Sequence, residues 1–199
     1  MKKKLSILFL TVLTVMLSFP VIAQEHAITW SVVAGLSKSS IVGESESWKD
    51  PLGGQIGVYA SLSNFSESMS LKLEANLSMQ GAKWEENIDG YISKGRTNLL
   101  YLNMPLVVRY RHSKGYFAEV GLQPGFLLAA KDKYDGGSDN YMDFMKKFDF
   151  SVPVGIGYEF RKKYAVGIRV IPGLTNVNSD GSAKDRNFVA ALRFAYTIE

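Results

Sequence analysis

The chain has 199 residues, with 23 Lys and Arg against 19 Asp and Glu, two His and no Cys. Without cysteine there can be no disulfide framework, thiol nucleophile or Cys-ligated metal site. The formal charge of +4 falls to +1 when residues 1–23 are set aside, since they hold Lys2, Lys3 and Lys4 and no acid; no basic stripe with stacking aromatics points to nucleic acid.

Residues 1–23 read as a secretory signal peptide. Three lysines precede an apolar run from Leu5 to Phe19, and Pro20-Val21-Ile22-Ala23 supplies a cleavage-like site. The run is short for a membrane helix, and no later run approaches that length. Residues 24–199 are then expected to form one domain with a substantial core.

From there the chain alternates with a period of two, which is the spacing of strands with one apolar face. Strand 1 spans about 28–36, with Ile28, Trp30, Val32 and Ala34 on one face. Strand 2 spans about 54–62, and strand 3 about 69–80, where Met69, Leu71, Leu73, Ala75, Leu77 and Met79 oppose Ser70, Lys72, Glu74, Asn76 and Ser78. Strand 4 sets Leu100, Leu102, Met104, Leu106, Val108 and Tyr110 against Tyr101, Asn103, Pro105, Val107, Arg109 and Arg111. Strand 5 restarts at Tyr116, with Phe117, Glu119, Gly121 and Gln123 on its polar side. Between them, Ser113-Lys114-Gly115 suits a three-residue hairpin with Gly115 left-handed. Strands 6, 7 and 8 span about 148–160, 164–174 and 188–198. No amphipathic helix stands out; residues 141–147 could form one short helical turn.

The connections alternate in length. Segments 37–53, 81–98, 131–147 and 175–187 are long and polar, whereas 63–68, 113–115 and 161–163 are short. All long segments therefore fall at one end of an up-and-down meander, an asymmetry found in outer-membrane barrels. Trp30, Tyr110, Tyr116, Tyr158, Tyr164 and Tyr196 share the apolar parity near the short-turn end and form a candidate periplasmic-side aromatic girdle. Phe148, Phe150 and Phe188 lie near the other end.

The expected fold is all-β: an eight-stranded antiparallel up-and-down transmembrane β-barrel, monomeric, in the bacterial outer membrane, with membrane lipid around it. A soluble lipocalin-type barrel would carry the same alternation turned inside out. Eight strands enclose a space only just filled by side chains. The glycine-bearing polar parity suits that space better than the run of Leu, Met, Phe and Tyr. That parity also carries a mixed-charge set, Lys72, Glu74, Arg109, Arg111, Glu119, Glu159, Arg169 and Arg193. With a three-residue hairpin, Arg109 falls opposite Glu119, predicting an ion pair inside the barrel with Glu74 as a third member.

Candidate chemistry is sparse. Nucleophilic catalysis would need a His-activated group, but His26 and His112 both fall at the short-turn end. Glu119 and Glu159 could suggest acid–base work, yet their basic neighbours favour structural ion pairs. Asp132, Asp135, Asp139, Asn140, Asp143 and Asp149 cluster without the spacing of a standard calcium loop. No catalytic residue, metal or cofactor is expected. Trp48, Trp84, Tyr91, Tyr134 and Tyr141 could give the long segments a surface for envelope protein partners.

Three motifs also carry a resemblance. The run Ser70 to Lys83 resembles the strand and Gly-x-Lys corner of PorT-like outer-membrane β-barrel proteins. Leu100-Tyr101-Leu102-Asn103-Met104-Pro105-Leu106 is similar to that family's YLxxP strand, and Tyr116 to Leu122 to the strand after it. The resemblance implies an eight-stranded outer-membrane barrel, often without an assigned role. The expected function is non-enzymatic, structural or adhesive, or a part in envelope assembly. A narrow transport pore and a soluble ligand binder are the alternatives.

Overall fold

A computed structural model describes residues 28–43, 51–66, 68–88, 91–134, 136–179 and 184–198. The expected signal peptide lies outside them, as do Trp48, Asp135 and His26. Eleven strands run in chain order: β1 (Thr29–Val42), β2 (Leu52–Ser66), β3 (Met69–Ile88), β4 (Tyr91–Asn103), β5 (Leu106–Arg111), β6 (Tyr116–Tyr134), β7 (Gly137–Asn140), β8 (Phe148–Ser151), β9 (Val154–Phe160), β10 (Tyr164–Pro172) and β11 (Arg186–Ile198).

These make eight staves of a closed antiparallel barrel. Strands β4 and β5 form one stave, β8 and β9 another, and β7 adds to the upper part of β6. The ring closes where β1 pairs β11, from Trp30↔Ile198 to Val42↔Arg186. Closure leaves the ring no unpaired edge, as a sheet in hydrocarbon requires.

Two expected strands are interrupted by proline. Strand 4 breaks at Met104-Pro105 and strand 6 at Val152-Pro153, because proline has no N–H to give the ladder. The proline carbonyls still accept, from Glu74 N at 2.9 Å and Gly121 N at 3.0 Å, so the wall stays bonded through both breaks.

Parts of three expected long loops are strand. Segment 81–98 is the top of the β3–β4 hairpin, paired up to Ile88↔Tyr91. Residues 37–42 continue β1, and 131–134 pair with β7. Polar sequence there resembles loop, but a strand that leaves the membrane keeps its backbone pairing while both faces meet water. Residues 141–147, where the sequence allows one short helical turn at most, form turns and one bridge, Met145↔Asn178. At the short-turn end, Gly115 takes φ 95° and closes the hairpin as expected.

The barrel is apolar outside. Leu36, Ile56, Leu106, Val120, Ile156, Ile168 and Leu192 are exposed, while Lys72, Glu74, Arg109, Glu119, Arg169 and Arg193 are buried. On β3 the outward apolar row runs from Met69 to Met79. Ten residues span about 34 Å along a strand; at a tilt near 40° that is about 26 Å of height, matching the ~25 Å lipid-facing band of such barrels. This arrangement rules out the soluble lipocalin-type alternative, whose apolar face would turn inward.

Candidate functional site: the barrel lumen and its outer mouth

The middle of the lumen holds an ionic network built by strand register. Arg109 lies directly opposite Glu119 across the β5–β6 hairpin. Its Nε and Nη2 both donate to Glu119 Oε2, at 2.9 and 2.7 Å. Arg169, on β10, reaches both oxygens of Glu74 and the second oxygen of Glu119. Its Nη1 and Nη2 donate to Glu74 Oε2 and Oε1 at 2.8 Å each, a bidentate fork. Its Nε donates to Glu119 Oε1 at 2.8 Å. Arg193 Nη2 and Asn76 Nδ2 also donate to Glu74 Oε2, at 2.8 and 3.0 Å. Glu74 thus joins the network through Arg169 and Arg193 and not through Arg109.

Lower down, Arg111 pairs with Glu159 at 2.8 Å, near the short-turn mouth and half-buried. Lys72 is buried too, but its nearest described partner is aromatic: Nζ lies 4.2 Å from the centre of the Tyr59 ring. Arg109 lies 3.8 Å over Phe117 in the same way. Sequence reasoning named these cations and missed the rings, because Tyr59 and Phe117 read as ordinary strand aromatics. Both belong to an apolar layer, with Val33, Ala165 and Ala195, that fills the lumen below the Glu74–Arg169–Glu119 network.

Glycine makes the crowding possible. A Cβ on Gly155 would stand 2.9 Å from Glu119 Oε1, and one on Gly167 3.1 Å from the Phe117 ring. Above the charges, Gln123 Nε2 donates to Ser151 Oγ at 3.1 Å. Asp149 accepts from Thr175 and, at 3.4 Å, from Asn187 Nδ2.

The long-loop mouth is stoppered. Met145 and Val177 are buried against Ile41, Ala82, Leu99, Tyr101, Leu127 and Ala130. The two stopper segments bond to each other through Lys146 N to Val177 O at 2.8 Å and Ser179 N to Phe144 O at 3.0 Å. A bulge in β6, where Leu100↔Ala129 gives way to Tyr101↔Leu127, turns both Leu127 and Ala130 inward. Strict period-two counting cannot see that. Over the mouth, Asp132 accepts from Trp84 Nε1 at 3.0 Å and Thr97 Oγ1 at 2.8 Å. Tyr141 stacks on exposed Phe144 at 5.1 Å.

The expected girdle residues lie at the short-turn end on the outside, where Tyr116, Tyr158, Phe160, Tyr164 and Tyr196 follow one another at ring separations of 5.2 to 6.4 Å. Phe160 completes this run and was not expected. Trp30 and Tyr110 are half-exposed nearby. His112 sits in the hairpin turn, where its Nδ1 accepts from Lys114 N at 3.2 Å. Of the acidic cluster, Asp139 accepts from Tyr134 Oη at 2.9 Å, and the Asp143 carbonyl from Ser179.

A family model described as outer membrane protein beta-barrel domain matches residues 22–179. The chain belongs to that family. Membership places this barrel in the bacterial outer membrane. Among solved structures, Neisserial surface protein A is similar at 13% identity with a TM-score of 0.54, covering 84% of this chain and 96% of its own. Ail of Yersinia pestis aligns at 13% identity and a TM-score of 0.48, over 86% of this chain and 99% of that one. OprG of Pseudomonas aeruginosa aligns at 11% and 0.44, over 87% and 97%. Identity this low carries the fold alone. No curated protein matches the chain.

Proposed function

We propose that this barrel is a non-enzymatic, non-conducting scaffold that displays its long hairpins and mouth stopper outside the cell, in an adhesive, structural or envelope-assembly role. The observation that carries this reading is occlusion in three layers. Met145 and Val177 close the top, the Arg109–Glu119–Arg169–Glu74 network spans the middle, and Tyr59 and Phe117 fill the bottom. Short turns face the periplasm by the usual asymmetry, residues 1–23 direct export, and one chain suffices. The resemblance of the three motifs supports a place among PorT-like members of the family. Candidate partners are envelope proteins or surface ligands that meet Trp84, Tyr141 and Phe144.

Planar-bilayer recording of the refolded protein tests occlusion: no conductance steps are expected, and porin-like steps overturn it. The absence of native cysteine gives a clean orientation test. Phe144→Cys should react with an impermeant maleimide on intact cells and Ser113→Cys should not; the reverse pattern inverts the assignment.

A further inference from the structure

On the outer wall, just above the apolar belt, three cations stand in one cross-strand row. Lys83 on β3 is directly opposite Arg96 on β4, and Arg96 is directly opposite Lys133 on β6. One step below, Lys131 takes the same position opposite Asn98. Lys83, Lys131 and Lys133 are exposed on the outward parity, and none has a carboxylate within ion-pair distance among the described residues. Nearby acids are engaged elsewhere: Glu85 with Lys94 at 3.5 Å, and Asp132 with Trp84 and Thr97 on the inner side. Arg96 is held in place by donating from Nη2 to Leu52 O at 3.1 Å.

Directly opposed side chains have Cβ atoms about 5 Å apart, and like charges there repel. A row of three with no interleaved acid therefore lowers stability unless an anion sits among them. Height says which anion. Met79 and Leu128 end the apolar belt on β3 and β6. Lys83 is four residues past Met79, about 13 Å along the strand and about 10 Å in height at a tilt near 40°. Long lysine stems reach back down towards the membrane surface. The row therefore sits at headgroup level beside lipid, not at the top of the hairpins where soluble ligands arrive.

We infer that Lys83, Arg96, Lys133 and Lys131 form a binding site for the phosphate groups of a phosphorylated glycolipid in the outer leaflet. This inference rests on the proposed orientation. The test uses the whole protein, purified in detergent and incubated with lipid A or with its dephosphorylated form, and read by native mass spectrometry. Wild type should retain lipid A in preference to the dephosphorylated lipid. Lys83→Gln and Lys133→Gln should each weaken retention on the order of fivefold, and Lys114→Gln in the opposite turn should not. Equal retention of both lipids, or full retention by the double variant Lys83→Gln/Lys133→Gln, overturns the site. Complete competition by millimolar inorganic phosphate overturns the lipid as occupant. Heat-modifiable migration of each variant reports folding separately, and the cysteine labelling above reports orientation. A misplaced row can thus be told from an inverted barrel.

Discussion

Arg109 gives two hydrogen bonds to one oxygen of Glu119, and Arg169 takes the other oxygen of the same carboxylate. Glu119 is therefore shared by guanidinium groups from staves on either side of its own, with Arg193 Nη1 a third at 3.8 Å. Neither arginine can move to lipid or water without leaving it.

Removing that carboxylate should be costly. Breaking a buried pair while leaving its partners costs roughly 3–5 kcal/mol. Glu119→Leu leaves Arg109 and Arg169 under-compensated, and urea unfolding in lipid vesicles should show a loss of that size. An unchanged midpoint would mean the network contributes nothing to stability. The double variant Arg109→Leu/Glu119→Leu should recover part of the loss.

Gly157 on β9 is directly opposite Phe117 on the adjoining β6, and a methyl group there would overlap the ring and the Val166 carbonyl. Gly157→Ala should destabilise by about 1–3 kcal/mol through overpacking. It should also displace Phe117 from Arg109, which near-ultraviolet circular dichroism would register.

Val120 projects outward within the apolar belt. Val120→Arg should cost roughly 2–4 kcal/mol if the site lies near the bilayer midplane. The same substitution at Tyr116, in the interfacial girdle, should cost far less. Equal costs at the two positions, measured by unfolding from vesicles, would contradict the assigned depth.

Much of this was legible in the chain because lipid enforces a rule water does not. A period of two over Leu100–Tyr110 and Tyr116–Gln123 fixes both faces, and a three-residue loop places Arg109 opposite Glu119. Three features escaped for definite reasons. The pairing of Arg169 with Glu74 spans 95 positions, and local spacing holds no information on which distant staves face each other. The β6 bulge shifts parity by one residue without any glycine or proline at Leu128 to mark it. The Met145–Val177 stopper is made of short apolar residues in otherwise polar segments, where a buried contact and an idle loop residue look alike.

The phenol of Tyr134 donates to the Asp139 carboxylate above the membrane, which holds its pKa above the usual tyrosine value through that hydrogen bond and the nearby negative charge. The raised value means that its contribution to the β6–β7 hairpin is present below the ordinary tyrosine pKa and is lost as pH rises through the folded-state value. Spectrophotometric titration of wild type minus Tyr134→Phe should show an alkaline-shifted phenolate, and Asp139→Asn should return it towards normal.

Met145→Asp should loosen the stopper by burying a charge without a partner. Protease cleavage within 141–147 should accelerate, while bilayer recordings stay silent because the ionic and aromatic layers beneath remain. Steps appearing in this variant would make Met145 the sole barrier.

The seam between β1 and β11 joins Ser31 to Thr197 by a hydroxyl contact of 3.0 Å across 166 positions of sequence. A chain shortened by one stave cannot complete the ring and keeps a raw strand margin, with backbone groups that hydrocarbon will not solvate. Chains terminated before β11 are therefore expected not to settle in the bilayer as a stable ring.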